Sequence, residues 1–307
     1  MPSRAIAMVT GAAVFGATLV AVSLPRVLAS STSSPSQASS SSSGSASSAS
    51  AGAASSASAG AASSASSASM PSDVAATTAA AARKPFHPSR LTHLGDARQV
   101  VVVTAKTWKT SYAKLRTYSK DSSGWHRQFK KKDARLGTYG FAHFGERRQN
   151  SGETPAGTYG LPRAFGAAPD PGTTLPYRQF DSNDWWPYDP RDPRTYNVEQ
   201  YQGRSAATQW RKSWAEHLSH FKDQYEYAVV LNYNLPSGLY TSGDQRFASN
   251  PANTAAGGGI FLHVNGPGST AGCVSVGRKA MRKILRWLDP TKHPVIVMAP
   301  TKAIGEA

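Results

Sequence analysis

One stretch of the chain, residues 260–281, carries the residue types that acyl-transfer chemistry needs. Cys273 is the single cysteine of 307 residues, and His263 precedes it by ten positions at the end of the apolar run "GGIFLHV". The nearby glycines, Gly272 among them, predict a tight turn whose backbone N–H groups face a substrate oxyanion. An imidazole beside a thiol is a usual way to activate it, and a thiol activated in this way has a lowered pKa.

A lone cysteine also has other roles. In an exported chain without a second cysteine, the thiol is a buried small hydrophobic group, an intermolecular disulfide or a reactive nucleophile. A histidine and a cysteine on either side of a glycine-rich turn favour the nucleophile, with His263 as the base of Cys273.

The N-terminal third of the sequence predicts export. Residues 1–29 combine a basic start, an apolar stretch and a small-residue site, which is typical of a secretory signal peptide, with an uncleaved membrane anchor as the alternative. Residues 30–82 are almost entirely Ser and Ala, so we expect a disordered linker. We therefore expect the protein to be secreted or associated with a bacterial cell wall, and to meet a membrane only through an uncleaved N-terminus.

The composition changes at residue 83, and residues 83–307 predict one globular catalytic domain. All seven Trp and all twelve Tyr lie in this region. It also holds all but two of the 34 basic and all but one of the 18 acidic residues, a net charge of +15. For an exported protein this charge indicates anionic wall polymers or lipid headgroups rather than nucleic acid. We expect the basic runs 129–135 and 145–149 to be solvated faces.

Short β-branched or aromatic runs bounded by Gly, Pro, Asn or Ser dominate this region and predict a mainly β domain, a sandwich or barrel with marginal helices. The predicted strands are 99–105, 157–161, 225–233, 258–264 and 294–299. Two helices are predicted, 205–218 and 277–290, the second with an apolar stripe and an end at Pro290.

Two further groups of residues have a possible chemical role. Trp185 and Trp186 are adjacent in an irregular segment, where they either pack in the core or line a substrate cleft. His217 and His220 have the spacing of metal ligands but no Glu or Cys companion in a zinc pattern. We therefore expect no metal and no cofactor.

The segment "FLHVNGPGSTAGCVSV" (261–276) resembles the signature of the L,D-transpeptidase (YkuD-like) catalytic domains of bacterial cell-wall enzymes. The match includes His263, Thr270, Gly272 and Cys273. Further similar segments occur in the expected order between about residues 98 and 300: "SGETPAGTYGL" (151–161), the series Trp186, Asp189, Pro190, Tyr196 and Asn197, and "YEYAVVLNYN" (225–234).

The resemblance implies a β-sandwich that acts on the peptide stems of peptidoglycan. Cys273 would attack the carbonyl of the third stem residue and expel the fourth, with His263 as base and the N–H groups of Gly272 and Cys273 around the oxyanion. An amine of a neighbouring stem, or water, would then resolve the thioester. The resemblance also implies that Thr154 lies near the cleft, and we count Trp186, Asn197, Thr270 and Ser275 with it as substrate-binding residues.

The segment departs from the family pattern at two positions. Ala271 stands where the family has a second histidine, Ser275 stands where it has an arginine, and the interval from His263 to Cys273 is short. These departures affect the oxyanion contacts, the placement of the substrate and the choice of acceptor. They leave two hypotheses: an active cysteine acyltransferase or peptidase, and a basic wall-binding module on the same fold with little or no turnover.

Overall fold

The structure is a computed structural model that describes residues 86–307. The predicted signal segment 1–29 and the predicted linker 30–82 lie outside these residues. Within 86–307, no helix is both long enough and apolar enough to cross a bilayer.

Short strands make up most of the regular structure. In chain order they are β1 (Gln99–Ala105), β2 (Tyr112–Asp121), β3 (Gly124–Arg127), β4 (Lys132–Arg135), β5 (Phe141–Ala142), β6 (Thr154–Pro155), β7 (Gly157–Gly160), β8 (Arg163–Gly166), β9 (Tyr177–Gln179), β10 (Trp185–Pro187), β11 (Ala215–His217), β12 (Ala228–Val230), β13 (Ser237–Ser242), β14 (Gln245–Asn250), β15 (Phe261–Val264), β16 (Val274–Val276) and β17 (Val295–Pro300). The α-helix described in this region is α1 (Arg278–Trp287), and the short 3-10 helices are Pro88–Arg90, Lys212–Trp214, Leu218–Phe221 and Pro290–Lys292.

Most of these strands belong to one large sheet. Its order is β7-β17-β1-β2-β4-β16-β15-β12-β8-β9, and β3 pairs with β2 at its side. Most neighbours are antiparallel, whereas β1–β17, β15–β16 and β8–β9 are parallel. The mainly β prediction is confirmed. Hydrogen bonds from β2 through β4 to β16 make the large sheet continuous.

The strands β15 and β16 separate two clusters of buried side chains. Leu262 of β15 and Val274 of β16 belong to the larger apolar core. Phe261 of β15 belongs to a smaller, mostly aromatic cluster that also contains Cys273. Because side chains alternate along a strand, the two clusters occupy opposite faces of this part of the sheet.

The prediction for the second helix is confirmed. Helix α1 begins at Arg278 and ends at Trp287, and it buries Ala280, Met281, Ile284 and Leu285 against the larger core. The stripe recurs every three to four residues, as an amphipathic helix requires, and the basic side chains between its members lie outside the core.

The prediction of a helix at 205–218 is wrong. This segment contains the 3-10 helix Lys212–Trp214 and strand β11, which pairs with β10 through Trp185 and His217. Trp210 and Leu218 are fully buried. Their regular spacing therefore reflects burial in an irregular segment, where tertiary pairing with β10 outweighs the local periodicity.

Candidate active site

The pairing of β15 with β16 brings the predicted nucleophile and base to one face of the sheet. The two strands are parallel, with Leu262 opposite Val274 and His263 opposite Ser275. Alternation places Cys273, two residues before Ser275, on the face shared by Ser275 and His263. The sequence interval between histidine and cysteine is thus spanned by two adjacent strands and the turn between them.

The Cys273 thiol is buried, with 8% of the residue exposed. Its Sγ donates a hydrogen bond to the carbonyl oxygen of Gly259 at 3.2 Å and accepts one from the Phe261 N–H at 3.4 Å. Burial raises the pKa of the thiol to about 12, and the nearby Glu216 carboxyl adds to this increase. Activation by an adjacent imidazole would lower the pKa of the thiol, whereas in this structure the pKa is raised.

The His263 ring is also buried and is held in one orientation. Its Nδ1 lies 2.8 Å from the carbonyl oxygen of Val264, which only accepts, so Nδ1 carries the proton and Nε2 the lone pair. The ring of Tyr225 packs edge to face against it, with 5.4 Å between centroids. Burial lowers the pKa of His263 to about 4, although the carbonyls of Val264 and Gln224 oppose this shift. At neutral pH the imidazole is uncharged and its Nε2 is able to accept a proton.

Within residues 86–307, no hydrogen bond joins His263 to Cys273; the thiol proton is directed to Gly259 instead. A thiol with a raised pKa beside an imidazole with a lowered pKa is a neutral pair, not a thiolate and imidazolium. The arrangement places the predicted base and the predicted nucleophile on one face of the sheet, without an ion pair between them.

Two threonines hold the turn that carries Cys273. The Thr270 hydroxyl donates to the Cys273 carbonyl oxygen at 2.6 Å, and the Thr154 hydroxyl donates to the same atom at 3.3 Å. The Gly272 N–H donates to Thr270 Oγ1 at 3.2 Å, so that N–H is already paired, contrary to its expected place at an oxyanion. Gly272 itself has a φ of +144°, and a Cβ there would lie 2.9 Å from the Glu153 carbonyl oxygen. Only glycine fits this position without strain.

Trp186 and Asn197 support the site from inside the protein. Trp186 has no exposed surface and its Nε1–H donates to Asn197 Oδ1 at 2.9 Å. The same oxygen accepts the Gly259 N–H at 2.9 Å, and the Asn197 amide donates to the Asn234 carbonyl at 2.7 Å. These bonds fix Gly259, whose carbonyl accepts the thiol. In this arrangement Trp186 packs in the aromatic cluster and offers no surface to a substrate.

Ser275 lies opposite His263 and is fully buried, and its hydroxyl has no hydrogen-bond partner in the described residues. Trp185 is half-buried and stacks on the His217 ring at 4.2 Å. His217 and His220 contact each other at 3.1 Å. Residues 86–307 contain no group of three or more His, Cys, Asp or Glu side chains that could hold a metal ion.

Sequence reasoning missed two polar groups near the thiol, Arg147 and Glu216. Arg147, in the run predicted to be solvated, is buried at 5% exposure, whereas its neighbour Arg148 is exposed. Glu216, in the segment predicted to be a helix, accepts the Tyr225 hydroxyl at 2.7 Å, and burial raises its pKa to about 7. Nothing in the local pattern distinguishes Arg147 from Arg148 or Glu216 from a surface glutamate, because distant segments create their surroundings.

The mainly β domain thus places the single cysteine beside a histidine on the adjacent strand. The family model described as YkuD, L,D-transpeptidase catalytic domain, matches residues 98–297. The chain belongs to this family, whose members act on peptidoglycan. Searches of curated proteins and of solved structures found no match to this chain.

Proposed function

We propose that this chain is an exported enzyme that cleaves and transfers peptidoglycan stem peptides through a thioester on Cys273, as an L,D-transpeptidase or L,D-carboxypeptidase. The observation that carries the proposal is the register of β15 and β16, which puts His263 and Cys273 on one face within the matched family domain. The fixed tautomer of His263, with a free lone pair on Nε2, supports its role as the base.

In each half of the reaction, one proton passes through His263, which first accepts it and then returns it. His263 Nε2 takes the thiol proton as Cys273 Sγ attacks the carbonyl carbon of the third stem residue. The bond to the fourth residue breaks, and the imidazolium returns the proton to the departing amine. An acceptor amine or a water molecule then attacks the thioester, loses its proton through His263 and restores the thiol.

Because the thiol is buried, we propose that it becomes activated only when substrate binds. The sulfur must leave its hydrogen bond to the Gly259 carbonyl and turn towards Nε2 of His263 before the proton moves. Among the hydrogen bonds of residues 86–307 the Cys273 N–H donates to none, which leaves it as the oxyanion donor in place of the paired Gly272 N–H.

The second candidate function is a wall-binding module with little or no turnover. The raised pKa and burial of Cys273 favour it, since both oppose the formation of a thiolate. Incubation with a disaccharide tetrapeptide, followed by measurement of D-alanine release, separates the two. The enzyme releases D-alanine and Cys273→Ala releases none, whereas His263→Ala is slower by about 10² to 10⁴-fold, the usual contribution of a positioned base. The assignment of Cys273 as nucleophile is overturned if Cys273→Ala releases D-alanine. The assignment of His263 as base is overturned if His263→Ala releases D-alanine at the wild-type rate.

A basic groove supports binding of anionic wall polymers. It has a volume of about 700 Å³ and lies at the ends of β1, β2 and β17, away from Cys273. Its cationic side chains are Lys106, Lys114, Arg116 and Lys302, against the single carboxylate of Asp133. Replacing Lys106 and Lys302 by Glu is expected to weaken retention on purified anionic wall polymer, with Lys279→Glu on α1 as the control. Equal retention of both variants would remove this partner from the proposal.

The proposed place of action is outside the cytoplasm, in the cell wall or the medium. The support is the signal-like segment 1–29 and the Ser/Ala-rich segment 30–82, with a membrane contact only if the first segment is retained.

A further inference from the structure

Arg147 is a buried cation without an acidic partner. Only 5% of the residue is exposed, and its Nε and Nη1 donate to the backbone carbonyls of Glu153 at 3.1 Å and Ala256 at 2.8 Å. No ion pair of residues 86–307 includes it. A buried charge is costly unless an opposite charge compensates it, so an uncompensated guanidinium indicates a bound anion.

The Nη2 edge of this guanidinium lies near the turn that carries Cys273. A Cβ built on Gly272, the residue before Cys273, would lie 3.1 Å from Nη2 of Arg147. The charge is close enough to oppose the increase in the pKa of the Cys273 thiol. On its other side the guanidinium lies over the ring of Tyr233, at 5.7 Å from the centroid.

A second unpaired donor lies beside the thiol. The hydroxyl of Tyr188 is buried and has no hydrogen-bond partner in the described residues. It packs against Gly259, since a Cβ on that glycine would lie 1.9 Å from it, and the Gly259 carbonyl accepts the Cys273 thiol. An unpaired buried hydroxyl thus lies at Gly259, which accepts the thiol, and an uncompensated guanidinium lies at Gly272, the residue before Cys273. Both are donors that an anion would satisfy.

We propose that Arg147, together with the Tyr188 hydroxyl, binds the terminal carboxylate of the acyl-donor peptide and so restricts the enzyme to donors whose leaving residue ends in a free carboxylate. The assignment rests on the proposed function and names the specificity determinant of the same site. A guanidinium fork matches the two oxygens of a carboxylate, and a permanent anion compensates a permanent cation. The oxyanion, which exists only during the reaction, already has the free Cys273 N–H.

Binding measurements test this proposal without turnover. Titration calorimetry of the full-length Cys273→Ser protein compares a disaccharide tetrapeptide ending in D-alanine with the same compound ending in D-alaninamide. We expect the acid to bind at least tenfold more tightly than the amide, because the amide leaves the guanidinium unpaired. In the Arg147→Lys background, which keeps the charge but loses the fork, this ratio falls towards one. Arg148→Lys, the exposed neighbour, keeps the ratio of the parent protein.

Three outcomes would overturn the proposal. The first is equal binding of acid and amide by the parent protein, which decides the question even if Arg147→Lys does not fold. The second is an equal loss of affinity for both ligands in Arg147→Lys, which would indicate a structural role. The third is the same change of ratio in Arg148→Lys. Failure of the proposed function has a different result: acid and amide are discriminated, but no D-alanine is released by the wild-type protein.

Discussion

Alkylation of Cys273 by iodoacetamide measures how strongly burial suppresses its thiolate. The structure raises the pKa of this thiol from about 9 to about 12. Since only the thiolate reacts, the higher pKa lowers the reactive fraction about 10³-fold relative to the unfolded chain at any pH below 9. Because the protein has a single cysteine, the label reports this site alone.

The assay follows the added mass of the intact protein at pH 6.5 to 10, with the urea-unfolded chain as reference. Below pH 9 we expect the folded protein to label about 10³-fold more slowly than the unfolded chain, and its rate should rise tenfold per pH unit without a plateau below pH 10. His263→Ala should show the same profile, because no hydrogen bond joins the ring to the thiol in the described residues.

One labelling result would contradict the neutral pair of thiol and imidazole. Folded protein that labels at pH 6.5 faster than the unfolded chain, and loses this reactivity in His263→Ala, would show a thiolate and imidazolium pair. The neutral pair described above would then be wrong, and the lowered thiol pKa that the sequence pattern predicts would be right.

Two stability measurements follow from the same site. Burial lowers the pKa of His263 from 6.5 to about 4. The neutral ring therefore stabilises the fold fully above pH 6.5, and this stabilisation is lost as the pH falls from 6.5 through 4. In urea unfolding, we expect the free energy of unfolding to fall by about 3 kcal/mol more between pH 7 and pH 4 in wild type than in His263→Gln. An equal loss in both proteins would contradict a buried neutral imidazole. Gly272→Ala should lower the free energy of unfolding by about 1 to 3 kcal/mol, since its φ is +144° and its Cβ would meet the Glu153 carbonyl at 2.9 Å. Gly268→Ala, with open space around its Cβ, is the control, and equal stability of the two variants would refute the strain.

The local pattern of the sequence predicted the elements that are regular and buried. The run 99–105 is β1 to the residue, because β-branched side chains that are buried on both faces leave a continuous apolar signal. The apolar stripe of α1 was predicted from its spacing in the same way. The segment 205–218 was not, because the aromatic spacing that suggests a helix arises from burial against β10. The roles assigned to Thr154, Trp186, Asn197 and the other site residues stay predictions.

The sequence by itself predicted the family, and it singled out Cys273, His263 and Gly272 as candidate site residues. These predictions depend on residue type and short spacing, which do not require knowledge of tertiary contacts. Only the tertiary structure decided that the thiol is buried against the Gly259 carbonyl, that Trp186 supports the turn from inside, and that Arg147 is buried while Arg148 is exposed. The reason is physical: desolvation and charge compensation depend on which distant segments surround a group, and no local pattern records those neighbours.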